Sequence, residues 1–303
     1  MDEQAKTTQR GVILAIAAYT MWGIAPIYFK MLQSVSPLEI LSHRILWSFF
    51  FLAGLIFLGK GWGKVRQVLR QPKVLLMLLA SSIIIGGNWL IFIWAVNSNY
   101  MLDASLGYFI NPLLNVLLGM VFLGERLRPL QWLAVALAAG GVLVQLIHFG
   151  SLPWVALVLA ASFGVYGLLR KKVNLDAQTG LFMETSILLP LALSYVLLFA
   201  SSPTSDWTLN SLDTNLLLMA AGIVTTLPLL CFTGAATKLK LSTLGFFQYI
   251  GPSLMFLLAV AVYGEEFSTD KSLTFACIWV ALVLFSYDGI KGHRQNRKRA
   301  QIA

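Results

Sequence analysis

The chain has 303 residues, 58% hydrophobic and 12% charged, with a mean hydropathy of +0.77. Soluble domains carry about 25% charged residues, so a water-soluble fold of this composition would expose large apolar patches, and a bilayer is the better solvent. The net charge of +9 arises from basic blocks between apolar runs, which argues against nucleic acid, and the only two cysteines, Cys231 and Cys277, lie inside apolar runs, which excludes a disulfide framework or a cysteine-based metal cluster.

A membrane-crossing helix needs about 20 apolar residues. The chain offers ten such runs: 11–31, 39–59, 74–96, 102–123, 129–147, 152–169, 180–200, 214–236, 242–263 and 271–290. The expectation is an all-α membrane protein of ten transmembrane helices. Helix 1 follows Lys6 and Arg10 and contains Trp22. A signal peptide is the competing reading, but the apolar run continues to Phe29, longer than a typical signal core.

Helix 2 opens with His43 and Arg44. Helix 3 carries GGNWLIFIW, which sets Asn88 and Trp89 after two glycines. Helix 4 reads SLGYFINPLLNVLLGMVFLGER, with an Asn-Pro pair in its interior and a Gly-Glu ending. In helix 5, Ala134 and Ala138, and Ala136 and Gly140, stand four residues apart. Such faces pack helices closely, here as an internal seam or a homodimer interface. Helix 6 holds Ser162 and Tyr166, helix 7 Glu184, and helix 8 Thr225 and Thr226 before Pro228. Helix 9, TLGFFQYIGPSLMFLLAVAVYGEE, echoes helix 4. The basic tail after helix 10, KGHRQNRKRA, reads as an orientation and lipid-headgroup element.

Lys and Arg concentrate on the cytoplasmic side of membrane proteins. With the N-terminus inside, 19 of the 22 fall in cytoplasmic segments, and only Lys30, Arg44 and Lys271 lie elsewhere. Both tails, 1–10 and 291–303, are therefore expected in the cytoplasm.

The chain also repeats itself. Pro112 and Pro252, Gly124 and Gly264, Glu125 and Glu265, and Arg44 and Glu184 all stand 140 positions apart. Gly23 and Gly164, and Lys30 and Lys171, stand 141 apart. A near-constant offset marks a duplication, into a first five-helix repeat, 11–147, and a second, 152–290. Five spans is an odd number, so the second copy enters the membrane inverted. Charge follows: Arg66 and Lys73 correspond to Asp206 and Asp213. Secondary transporters use this 5+5 inverted-topology plan around a midplane site.

The "P…GE" ending of helices 4 and 9, together with AAYTMWGIAPIYFK, LSHRILWSFFF, GGNWLIFIWAVN, SLGYFINPLLN and GFFQYIGPSLMFLLAV, resembles the EamA-type drug/metabolite transporter superfamily, and specifically its RarD branch. The resemblance covers essentially the whole chain. It implies a multi-pass permease of the bacterial inner membrane with a pocket between the repeats. The branch's chloramphenicol-related name implies a drug link and leaves the physiological solute open. An amino-acid-like metabolite and an amphenicol-type drug both remain on the table, as do import and export.

Proline inside a helix frees the carbonyl four residues earlier. Pro112 would release that of Tyr108, and Pro252 that of Gln248. Bare carbonyls survive at membrane depth only beside protein or water. Asn111, Asn115, Gln248 and Tyr249 gather near these helix breaks and are candidate pocket residues with Asn88, Trp89, Tyr108, Trp22, Ser162 and Tyr166. The competing reading is a kink tied by interhelical hydrogen bonds. For Thr225 and Thr226, local backbone bonding is the favoured reading. Charge within a span is costly and marks function by default, so His43, Arg44 and Glu184 are candidates for charge or proton coupling. Inversion is expected to put Arg44 and Glu184 near opposite faces, and Glu184 has Arg170 or Lys171 as possible partners. Glu125 and Glu265 read as structural or gate-stabilising, and Asp103 and Asp288 as solvated.

A secondary transporter of a small organic solute is the leading reading, with no enzyme activity and no cofactor or metal. An integral membrane enzyme would want a cluster of Asp, Glu and His, but the three histidines are scattered. A channel-like facilitator would want a repeated filter. A structural or regulatory membrane protein has no need of polar groups at repeat-related positions.

Overall fold

The computed structural model describes residues 3–32, 34–97, 101–149, 153–200, 203–261 and 269–302, and among them there is no strand. The helices are α1 Glu3–Met31, α2 Pro37–Leu58, α3 Trp62–Leu69, α4 Pro72–Asn97, α5 Met101–Leu123, α6 Pro129–Phe149, α7 Trp154–Val173, α8 Ala177–Ser194, α9 Leu212–Ala236, α10 Leu241–Gln248, α11 Ile250–Ala261 and α12 Thr269–Ile302. A π-helical turn, Tyr195–Phe199, prolongs α8. Eight helical runs, from α1, α2 and α4 through α9, are long and apolar enough to cross a membrane. In α12 the apolar stretch is the shorter Leu273–Gly289. The ninth expected span falls on the pair α10 and α11.

Local chemistry sets many of the boundaries. Pro37 occupies the first turn of α2, where a missing N–H costs nothing. Asp176 accepts from the Thr179 N–H at 3.1 Å and caps α8, and Ser211 caps α9 through Thr214 N–H at 3.2 Å. Gly124 takes φ +63°, a left-handed conformation that favours glycine, and ends α5.

Two expectations give way to the structure. The segment between the second and third expected spans, 60–73, contains a helix of its own, α3, whose Val65 and Val68 are buried beneath exposed Lys64 and Arg66. Eight residues are too few for a clear periodic signal. Helix 4 is not interrupted: Pro112 lies inside the continuous α5, while the ninth expected span divides at Tyr249 into α10 and α11. One proline can bend a helix without ending it, because it removes a single hydrogen bond.

Helices α1 and α9 pack together, as do α4 and α7; α1 packs on α11, and α7 on α5. Helix α2 lies against α8 and α9, α5 against α10, and α6 against α12. Ala134 and Ala138 are fully buried in a cluster with Ile278 and Ala281 of α12, so that face is an internal seam. Ala136 and Gly140 are exposed. Asp288 departs from its solvated reading: it is buried and stands 3.2 Å from the Arg128 guanidinium. The side chain of Asp103, and Glu265 altogether, lie outside the described residues.

Candidate functional site

Helices α2, α4, α7, α8 and α9 enclose a cavity of about 20 Å³, room for roughly one water. Its walls include Arg44, Ser48, Trp89, Tyr166, Glu184 and Thr226. Arg44 comes from α2 and lays its guanidinium 3.4 Å from the centre of the Trp89 ring. Such stacking leaves the in-plane N–H donors unused by the ring. Among the described residues no carboxylate lies within 4.0 Å of Arg44.

Glu184 has several partners. It accepts from the Ser81 hydroxyl and, at 3.2 Å, from the Tyr166 hydroxyl. The Arg170 guanidinium stands 3.6 Å away. Arg170 and Glu184 are both buried, and a side chain on Gly180 would overlap the guanidinium. The bare glycine makes room for the cation. None of the three Arg170 nitrogens has a hydrogen-bond partner among the described residues.

The cavity has a relation to the chain that sequence inspection alone did not reveal. Arg44 and Glu184, Ile45 and Thr185, Ser48 and Leu188, and Trp89 and Leu229 all line it, and each pair is separated by 140 positions. Arg44 and Glu184, expected near opposite faces and therefore unpaired, both border this one space. They make no direct ion pair with each other.

Other candidates tie helices together outside the cavity lining. Asn88 donates to the Leu159 carbonyl at 3.0 Å and the Ser162 hydroxyl at 2.8 Å, joining α4 to α7. Asn111 donates to the Ala160 carbonyl at 2.9 Å. Asn115 donates to Asn111 at 2.9 Å and to Gln248 at 3.1 Å, linking α5 to α10. Gly245 permits that approach, because a Cβ there would meet the Pro112 carbonyl at 2.8 Å. Tyr249 donates to the Phe109 carbonyl at 3.2 Å. Tyr108 packs edge-on to Phe92, within electrostatic reach of Arg44. Trp22 joins an aromatic group with Tyr19, Phe163 and Phe232, and Phe232 stacks on Tyr166. His43 packs edge-on against Trp207, 5.0 Å between ring centres, away from the cavity lining.

Sequence reasoning missed the cavity residues Ser48, Thr185 and Leu229, and some residues it named take fuller roles. Thr226 donates to Ser48 at 2.7 Å and Ser48 to the Gly222 carbonyl at 3.2 Å, so Thr226 bridges helices while Thr225 bonds locally to Ala221. Of the two expected partners of Glu184, Arg170 is the one that stands beside it. A search of the 140-residue partners of Arg44 and Trp89 for cavity mates would have found Leu229. Glu125 caps α10: its carboxylate accepts from the N–H groups of Leu241 and Ser242 at 2.6 and 3.0 Å and from the Ser242 hydroxyl at 2.6 Å. Among the described residues no group of three or more His, Cys, Asp or Glu is arranged to hold a metal.

The model of the EamA-like transporter family matches residues 9–147. An uncharacterized transporter of Vibrio cholerae is 65% identical over 300 residues, covering 99% of both chains. The chain belongs to the EamA-like transporter family. Within it the RarD branch is the match: the protein RarD of Escherichia coli K12 is 59% identical over 294 residues, covering 97% of this chain and 99% of its own. A Pseudomonas aeruginosa relative named chloramphenicol-sensitive protein RarD is 33% identical over 294 residues, covering 96% and 98%. A solved crystal structure shares the fold with a TM-score of 0.71 at 19% identity, covering 91% of this chain and 97% of that one. This EamA-family member is a multi-pass protein of the bacterial inner membrane, and its family and relatives point to transport rather than catalysis.

Proposed function

We propose that the chain is a secondary transporter that carries a small organic solute across the inner membrane by alternating access around the cavity between Arg44 and Glu184. The fold for this reading is ten spans in two inverted five-helix repeats, with both termini cytoplasmic. The observation that carries it is the lining by repeat partners: four pairs of residues 140 apart face one space. A site on the axis relating two inverted halves can open to either side by equivalent motions. The helix pairings support the duplication. The packing of α1 on α9 has its counterpart in α7 on α4, and α1 on α11 in α7 on α5, while α2 with α8, α5 with α10 and α6 with α12 are each their own counterpart. Room for about one water favours a closed carrier over an open pore.

In this reading Arg44, Trp89, Tyr166 and Glu184 contact the solute, and Asn88, Asn111, Asn115, Gln248, Tyr249, Ser162 and Trp22 hold the helices that frame it. The test is counterflow in liposomes with a panel of organic acids, amino acids, nucleosides and amphenicols. Exchange of any one of them supports a carrier. Ion current without exchange supports a channel, and silence toward all of them with correctly inserted protein removes the transport reading. Reporter fusions test the topology: a periplasmic C-terminus sinks the ten-span arrangement.

A further inference from the structure

We infer that the cavity selects a small organic monocarboxylate. The inference rests on the transport reading above and names its solute class. Three charged side chains decide it. Arg170 and Glu184 stand 3.6 Å apart and neutralise each other. Arg44 is the third, and among the described residues nothing of opposite charge pairs with it. Arg170 stands behind the wall, against Glu184, so the three side chains together leave one positive charge in excess, and it is on the wall at Arg44. One negative charge on the solute cancels it.

Geometry narrows the choice further. The guanidinium lies on the Trp89 face, so its ring contact is made through its own face and its edge donors remain for a planar, two-oxygen acceptor. A carboxylate matches that fork. A zwitterionic amino acid would also bring an ammonium group, which needs an acceptor. The one carboxylate in the lining among the described residues, Glu184, already serves Ser81, Tyr166 and Arg170. A neutral solute would leave Arg44 uncompensated inside the protein, which is unfavourable. The Ser48 and Thr226 hydroxyls bond to each other and to the Gly222 carbonyl, so they orient a solute rather than balance its charge. Tyr166, backed by Phe232, supplies an aromatic wall for the solute's apolar part.

The experiment uses the full chain in liposomes with two matched sets of solutes. One set is pyruvate, alanine and lactamide; the other is phenylpyruvate, phenylalanine and 3-phenylpropionamide. Members of a set share a carbon frame and differ in charge. Counterflow of at least one keto acid is expected to exceed that of its zwitterionic and neutral counterparts about tenfold or more. Arg44→Gln is expected to abolish that preference while the detergent melting temperature stays near the wild-type value. Wild-type protein that exchanges phenylalanine or an amide as well as the keto acids overturns the inference and leaves transport standing. So does Arg44→Gln protein that keeps the preference. Wild-type protein that exchanges nothing in these sets but does exchange a nucleoside or an amphenicol also overturns it. Only a chain inert toward every solute removes the transport reading with it. The wild-type comparison decides the question even if the variant fails to fold.

Discussion

Arg44 and Glu184 stand 140 positions apart, border one cavity and do not pair with each other. Each is held by a different neighbour: Arg44 by the face of Trp89, and Glu184 by Arg170. Positions 140 apart thus hold a cation and an anion, and among the described residues only the anion has a partner of opposite charge.

Gly180→Ala tests how tightly the buried pair is held. The added methyl must displace the Arg170 guanidinium, and overpacking of this kind costs about 1–3 kcal/mol. The melting temperature of the purified protein should fall. Gly54→Ala is the control, since nothing lies within 4 Å of its added carbon, and there the change should be neutral or slightly stabilising. Equal melting temperatures for the two variants would refute the packing account.

Glu184→Gln keeps the side chain's shape and removes its charge, which leaves Arg170 buried without a counter-charge. Breaking a buried pair from one side typically costs about 3–5 kcal/mol. The double variant Arg170→Met, Glu184→Gln should recover part of that loss, because no orphan charge remains. Thermal unfolding of wild type, Glu184→Gln, Arg170→Met and the double variant forms a cycle, and additive losses would show that the two groups are uncoupled.

Glu125→Ala removes the acceptor for two backbone N–H groups and a hydroxyl at the start of α10. A buried donor left unsatisfied costs about 1–3 kcal/mol. Protease susceptibility should rise in the connection between α9 and α10. Glu125→Gln should be milder, since its amide oxygen still accepts. A cleavage pattern unchanged by Glu125→Ala would show that the cap is dispensable.

His43→Gln separates two sequence candidates for proton coupling. His43 packs on Trp207 and does not line the cavity, whereas Glu184 does. Counterflow of the preferred solute, and its response to a pH gradient, should stay within about twofold of wild type, a change worth less than 0.5 kcal/mol. Loss of the pH response in this variant would return His43 to the transport path.

Asp176 gives a pH signature outside the spans. Partial burial raises its carboxyl, but the Thr179 bonds and Lys64 outweigh that and hold it below the usual carboxylate range. A folded-state pKa below the unfolded one adds stability above the unfolded value, about 3.9, and that stability is lost as pH falls through the folded value. Asp176→Ala should therefore cost about 1 kcal/mol near neutrality, and the gap from wild type should close between pH 5 and the onset of acid unfolding. A gap that stays constant through this range would contradict the assignment.

The sequence was most legible where one physical signal dominated. Apolar run length located α1, α2 and α4 through α9, and the Gly-Glu ending pointed to a structural role for Glu125. The amphipathic α3 escaped because two buried valines in eight residues make too little pattern. Asp288 escaped because its partner Arg128 lies 160 positions away. At the cavity, the repeat offset related Arg44 to Glu184, but a one-dimensional offset cannot say how near the axis two related positions fall. Asn88, Asn111 and Gln248 share composition with pocket residues and differ from them only in having backbone or amide partners on neighbouring helices.

The Glu125 cap also sets a clock. Its partner Ser242 comes 117 residues later in the chain, and Asn115 awaits Gln248 across 133. At about 5–20 residues per second of synthesis, the first half waits on the order of ten seconds before these partners are made. During that interval the Glu125 carboxylate lacks the two N–H groups and the hydroxyl that later hold it.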